Sequence, residues 1–363
     1  MAKFTDLFDD VTKYATKIPS CEYLGNGLYP IIDQGQKYIS GYTDKKEGLY
    51  TDVPAIIFGD HTRVIKYVDF PCFLGADGVK LLKSDRISNH KFLYYALLNV
   101  HIPDTGYNRH FKWLKEAEIT IPSEIEQNHI VDVLDKLTDL TVLRKKQLEK
   151  LDELVKSRFI EMFGDPVANS KNWNISPLLS IGYCKNGMNF HSGDNGIDIR
   201  CLGVADFKNL SVIDGTENLP IVSLNELPSK DSMLKDGDIV FVRSNGNKAL
   251  VGRCLLVYPH NIPTTYSGFC IRFRLTSKQV MPEYLLRVLK FDSIRKKMMG
   301  RGANIQNLNQ QILASLDIPI PPLDLQNQFA EFVKQTDKSK LAVQKSLEQL
   351  ETLKKSLMQK YFG

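Results

Sequence analysis

The side chains best suited to chemistry in this 363-residue chain are not spaced for catalysis. Cys21, Cys72, Cys184, Cys201, Cys254 and Cys270 lie far apart, with no C-x-x-C step and no histidine pair nearby. Structural zinc needs four ligands brought together by close spacing, so the cysteines read as reduced, mostly buried thiols. The seven histidines are scattered. An adenine methyltransferase needs a glycine-rich cofactor loop and an N/D-P-P-Y/F tetrapeptide for its base. Here Asp165-Pro166 runs into Val167, and Pro321-Pro322 follows Ile320, so neither fits. No G-x-x-x-x-G-K-[ST] loop is present to cradle nucleotide phosphates, and no compact carboxylate-plus-lysine cluster resembles a nuclease site. The expectation is a chain with no metal, no cofactor and no catalytic residue of its own.

What the chain does carry is polar loops rich in Arg, Asn and Gln. Guanidinium and amide groups present paired donors and acceptors, Arg matching guanine and Asn or Gln matching adenine, while Lys and Arg neutralise phosphates. The candidate contacts in the first half are Gln34, Tyr42, His61, Arg63, Asn108 and Arg109. In the second half they are Arg243, Asn245 and Lys248, followed by Arg301, Asn304 and Gln306 in a Gly-rich loop. Any one of them also fits a solvated loop residue or a turn cap. Charge leans the same way. The net charge is +5, and residues 1–118 hold 15 basic and 15 acidic side chains against 18 and 13 in residues 165–317. A partner dense in negative charge favours such an excess, although +5 by itself also serves solubility.

The elements that must position these loops follow from an internal repeat at an offset of 199 residues. Ile119-Thr-Ile-Pro-Ser-Glu-Ile-Glu-Gln-Asn128 aligns with Ile318-Pro-Ile-Pro-Pro-Leu-Asp-Leu-Gln-Asn327, and the match runs ungapped to Phe163-Gly164 over Phe362-Gly363. Of 46 aligned pairs 14 are identical, against about one in sixteen to eighteen by chance. From Glu124 to Phe163, and from Leu323 to Phe362, 40 residues pass without Pro or Gly, which predicts two helices of about 60 Å. Ser123 and Glu126 have capping-box spacing, Pro321-Pro322 suits a first turn, and Gly164 before Asp165-Pro166 suits a stop.

Each predicted helix has a narrow apolar stripe, which suits pairing along one partner helix more than lining a compact core. The pairing residues are Leu137, Leu140, Leu148 and Leu151 in the first copy, and Leu347, Leu350, Leu353 and Leu357 in the second. Ahead of each helix come a strand (Ala55–Phe58, Asp238–Val242), an amphipathic helix (90–98, 283–289), a polar loop and a strand into the I-x-I-P step. The expected fold is α+β, with two mixed α/β domains in pseudo-twofold repeat, separated by two long antiparallel coiled-coil helices. The boundaries fall at 1–122, 123–164, 165–321 and 322–363. No run approaches 18 apolar residues and the first ten residues lack a signal-peptide core, so a cytoplasmic protein with no membrane partner is expected.

This layout resembles the specificity subunits of Type I restriction–modification enzymes over essentially the whole chain. The likeness rests on the paired I-x-I-P steps with Gln-Asn after them, the L-x-x-L-x-x-S helix ends closing in Phe-Gly, and Trp173 just after the first. The segment Tyr29-Pro-Ile-Ile-Asp-Gln-Gly-Gln-Lys-Tyr-Ile-Ser-Gly-Tyr42 adds to it. The resemblance implies two target-recognition domains, each reading one half of a split site in double-stranded DNA. It also implies two modification subunits that bind S-adenosylmethionine and methylate adenine, and a restriction subunit that uses ATP and Mg to translocate and cut. A coiled-coil scaffold bridging proteins without binding DNA is the alternative; sequence-selective binding of DNA discriminates the two.

Overall fold

A computed structural model describes residues 1–76, 78–190, 193, 196–207, 211–299 and 307–363. It divides into two units, residues 1–147 with 343–363, and residues 148–342. Each is mixed α/β. Among the described residues no helix is long and apolar enough to cross a membrane.

In the first unit, strands Asp9–Asp10, Val79–Lys83, Ala55–Gly59 and Ile65–Val68 form an antiparallel sheet in that order. A second, mixed sheet runs Lys17–Ile18, Phe73–Gly75, Tyr29–Ile32, Gly41–Thr43. The run Ala55-Ile-Ile-Phe58 is apolar throughout because its strand is buried on both faces. Ile56 and Phe58 enter one core, while Ala55 and Ile57 enter another, as the two-residue strand period requires. Helix His90–Asn99, capped by the Asn89 side chain accepting from the Phe92 N–H, lays Phe92, Leu93 and Leu97 into the first of these cores.

The second unit repeats the plan. Its five-stranded sheet runs Gly182–Asn186, Cys270–Leu275, Asp238–Val242, Cys254–Tyr258, Val212–Asp214, beside a three-stranded sheet of Ile221–Leu224, Ile197–Leu202 and Thr264–Tyr266. The central strand Asp238–Val242 again feeds two cores, Ile239 and Phe241 on one face and Val240 and Val242 on the other. Helix Pro282–Lys290, with Pro at its first turn, packs Tyr284, Leu285 and Leu289 into the larger core.

Both long helices have the expected bounds, Glu124–Phe163 and Leu323–Phe362. Their ends are built as the residue types dictate. Ser123 and Glu126 exchange hydrogen bonds: the Ser123 N–H donates to Glu126 Oε2 at 3.0 Å, and the Glu126 N–H donates to Ser123 Oγ at 3.4 Å. Gly164 sits at φ +76 with its N–H on the Ile160 carbonyl, a left-handed cap. Trp173 Nε1 donates to the Phe163 carbonyl at 3.0 Å, satisfying one of the orphaned acceptors of that helix end. The shared glutamine of the repeat does the same work in each copy. Gln127 Nε2 donates to the Pro122 carbonyl at 3.0 Å, and Gln326 Nε2 to the Pro321 carbonyl at 2.8 Å, locking helix to I-P step.

Each unit contains the start of one long helix and the end of the other, side by side and antiparallel. In the first, Ile130 and Leu134 share a core with Leu357, Tyr361 and Phe362, and Lys354 Nζ donates to Thr138 Oγ1 at 2.9 Å. In the second, Phe159 meets Phe329 at 5.5 Å and Lys340 pairs with Asp152 at 2.5 Å. The repeat's Phe-Gly ends are equivalent in packing too: Phe362 touches Phe92 at 5.5 Å, and Phe163 touches Tyr284 at 4.8 Å.

Candidate nucleic-acid interface

The loop cluster of the first unit is assembled on the end of strand Ala55–Gly59. Asp60, next in the chain and 5% exposed, is an organising acceptor. Its carbonyl takes the His110 N–H at 2.8 Å and His110 Nδ1 at 3.0 Å, and its carboxylate takes the Phe111 N–H at 2.7 Å. That fixes the loop 102–110 against the turn 60–64. The loop 33–40 is fixed by Lys66, which is buried and donates to the carbonyls of Asp33 at 2.7 Å and Lys37 at 2.6 Å. Burial pulls the Lys66 ammonium below its ordinary value, and the nearby Asp33 carboxylate partly restores it.

Onto this frame the structure brings Gln34, His61, Arg63, Asn108 and Arg109. Gln34 Oε1 accepts the His61 N–H at 3.2 Å, and the Gln34 carbonyl accepts Thr62 Oγ1 at 2.6 Å. His61 Nδ1 lies 3.2 Å from the Asn108 carbonyl. Arg63, at φ +61, donates to Asp104 at 2.7 Å, so its guanidinium holds the 102–110 loop in place. Arg109 is exposed beside them. Gly78 closes the cluster at φ +62; a Cβ there would meet Gln34 and His61 at 2.6 Å. Tyr42 stands within strand Gly41–Thr43, paired with Pro30.

In the second unit the candidates lie after the central strand. The Arg243 N–H donates to the Phe269 carbonyl at 2.8 Å, and its guanidinium approaches the Gly268 carbonyl at 3.4 Å. Asn245 Oδ1 accepts the Asn247 N–H at 2.8 Å, making a turn, and exposed Lys248 opens the short helical turn that follows. Arg301, Asn304 and Gln306 lie outside the described residues. Two arginines that composition could not single out are structural: Arg274 is bidentate to buried Asp238 at 2.7 and 2.8 Å, and fully buried Arg272 donates to Asp231 at 3.2 Å.

Sequence reasoning missed Tyr107, Lys66 and Asp60. A tyrosine in a Gly-bearing loop was a visible signal for the first, whereas the other two act through partners distant in sequence. Of the helix residues, Leu137 and Leu347 are buried and Leu148, Leu151, Leu350 and Leu357 half-buried, while Leu140 and Leu353 remain 43% and 48% exposed. Leu154 and Leu353, equivalent in the repeat, are both open to solvent.

Two α/β units on one plan, each holding parts of both long helices and each ending a doubly buried strand in a polar loop, define a duplicated scaffold. A family model for the Type I restriction modification DNA specificity domain matches residues 3–153 and again 171–352. The chain belongs to that family. It is 23% identical over 355 residues to the Type I restriction enzyme EcoR124I/EcoR124II specificity subunit of Escherichia coli, covering 91% of this chain and 84% of that protein. It is 28% identical over 267 residues to the Type I restriction enzyme StySPI specificity subunit of Salmonella potsdam, 67% of this chain but only 56% of that relative's length. The fold is that of the S subunit of a Type I restriction–modification system from M. genitalium, with a TM-score of 0.61, 20% identity, and 99% and 95% of the two chains covered.

Proposed function

We propose that this chain reads a split site in double-stranded DNA, with residues 1–122 and 165–321 as recognition domains and 123–164 and 322–363 as spacer helices. The carrying observation is that Gln34, His61 and Asn108, from three separate loops, are hydrogen-bonded into one cluster, with exposed Arg109 next in the chain. Amide and guanidinium groups carried by one loop cluster are the chemistry of base-edge and phosphate contact. Arg243, Asn245 and Lys248 serve the second half-site, with Arg301, Asn304 and Gln306 following them.

The chain performs no chemistry in this reading. Two modification subunits, holding S-adenosylmethionine, dock where the repeat leaves Leu154 and Leu353 exposed, and methylate adenine within the site. A restriction subunit supplies ATP- and Mg-dependent translocation and cleavage. The complex acts in the cytoplasm, where the DNA is. Selection from a random duplex library by the full chain co-expressed with its modification subunit tests the reading. Two short enriched blocks at a fixed gap are expected; a pool with no enriched sequence contradicts it and favours a protein-bridging scaffold.

A further inference from the structure

Tyr107 is 86% exposed, yet its ring is not left to swing. Gly106, at φ +74, turns the chain beneath it, and the Gly106 N–H donates to Asp104, which Arg63 holds at 2.7 Å. The Asn108 N–H returns to the Gly106 carbonyl at 2.8 Å, and the Asn108 side chain donates to the Thr105 carbonyl. The phenol lies flat on the His61 imidazole, with centroids 4.6 Å apart and planes 8° from parallel. The His61 imidazole therefore lies against part of one face of the ring, and the rest of the ring stays open.

A pre-positioned aromatic face beside amide and guanidinium groups suits a flat, polar, π-faced ligand, and a nucleobase is such a ligand. In an intact duplex every base face is covered by its neighbours. A ring can stack on one only where a step opens, which pyrimidine–purine steps do at least cost. We propose that Tyr107, backed by His61, is a stacking platform that opens one base step in the half-site read by the first unit. The imidazole behind the phenol favours the stacked position, so part of the ordering cost is met before DNA arrives. This inference rests on the DNA-reading role proposed above and adds to it a contact with a base face, where the neighbouring side chains contact edges.

The test uses the full chain with its co-expressed modification subunit and the duplexes it selects from the random library. In those duplexes 2-aminopurine replaces each base of the first unit's half-site in turn. Binding is expected to raise fluorescence at one step, and Tyr107→Ala to abolish that rise and weaken binding about 5- to 150-fold. Tyr107→Phe, which keeps the ring, is expected to retain the signal. Because the side chain is exposed, an unchanged melting temperature accompanies both variants. Selective binding with no fluorescent step, or an unchanged affinity in Tyr107→Ala, overturns the platform and leaves the DNA-reading role standing. Equal loss in Tyr107→Phe and Tyr107→Ala overturns it in favour of a hydroxyl contact. A wild-type chain that selects no duplex overturns both proposals.

Discussion

At the scale of single residues, the glutamine of the repeated I-x-I-P…Gln-Asn step shows how a motif can be visible before its use is. Its recurrence at 127 and 326 was legible, but its hydrogen bond back to the proline carbonyl was not, because that bond depends on how the helix leaves the strand. Gln326 is the more engaged copy, fully buried, with Oε1 on the Met281 N–H at 2.8 Å and Nε2 on the Gln279 carbonyl at 2.9 Å. Gln326→Leu is therefore expected to cost about 2–3 kcal/mol and Gln127→Leu about 1 kcal/mol, read as midpoint shifts in urea unfolding. Equal costs would contradict the assignment. The thiols give a second check. Burial pushes Cys72, Cys184, Cys201 and Cys270 up to about 12 and Cys254 up to about 11, while Cys21 is exposed. At pH 8 these buried groups stay protonated and inert, so native protein is expected to show one fast thiol towards Ellman's reagent, lost in Cys21→Ser. The polar cluster was legible as Arg-, Asn- and Gln-bearing loops. The tyrosine of the Gly-bearing loop was visible too, but its stack on His61 was not, since that joins residues from two loops.

At the scale of elements, the long helices were legible to the residue because Pro and Gly are absent for 40 positions and the caps are local chemistry. The two-faced burial of Ala55–Gly59 and Asp238–Val242 follows from their unbroken apolar runs. The parallel pairing of Phe73–Gly75 with both Lys17–Ile18 and Tyr29–Ile32 was not legible, because short strands joined across distant sequence leave no periodic mark. Gly164→Ala tests the helix stop. A Cβ at φ +76 would also meet Ser170 Oγ at 2.4 Å, so a loss of about 1–2 kcal/mol is expected in thermal or urea unfolding. If the helices set the spacing of the two readers, inserting four residues near position 140 is expected to change the gap between enriched DNA blocks and not their sequences. An unchanged gap would contradict that role.

At the scale of the molecule, the 199-residue repeat carried the most information. It implied one plan used twice, and each unit indeed pairs the start of one long helix with the end of the other. The bases read remain outside what composition encodes, because contact depends on loop shape and on how the duplex deforms. In the function proposed above, this plan reads one split site and directs modification there. Co-expression with the modification subunit, followed by sequencing of methylated adenines in the host DNA, tests it most directly. Methylation confined to a motif of two short specific halves with a fixed gap is expected. Methylation at a single continuous site, or none from a complex shown to assemble, would contradict it.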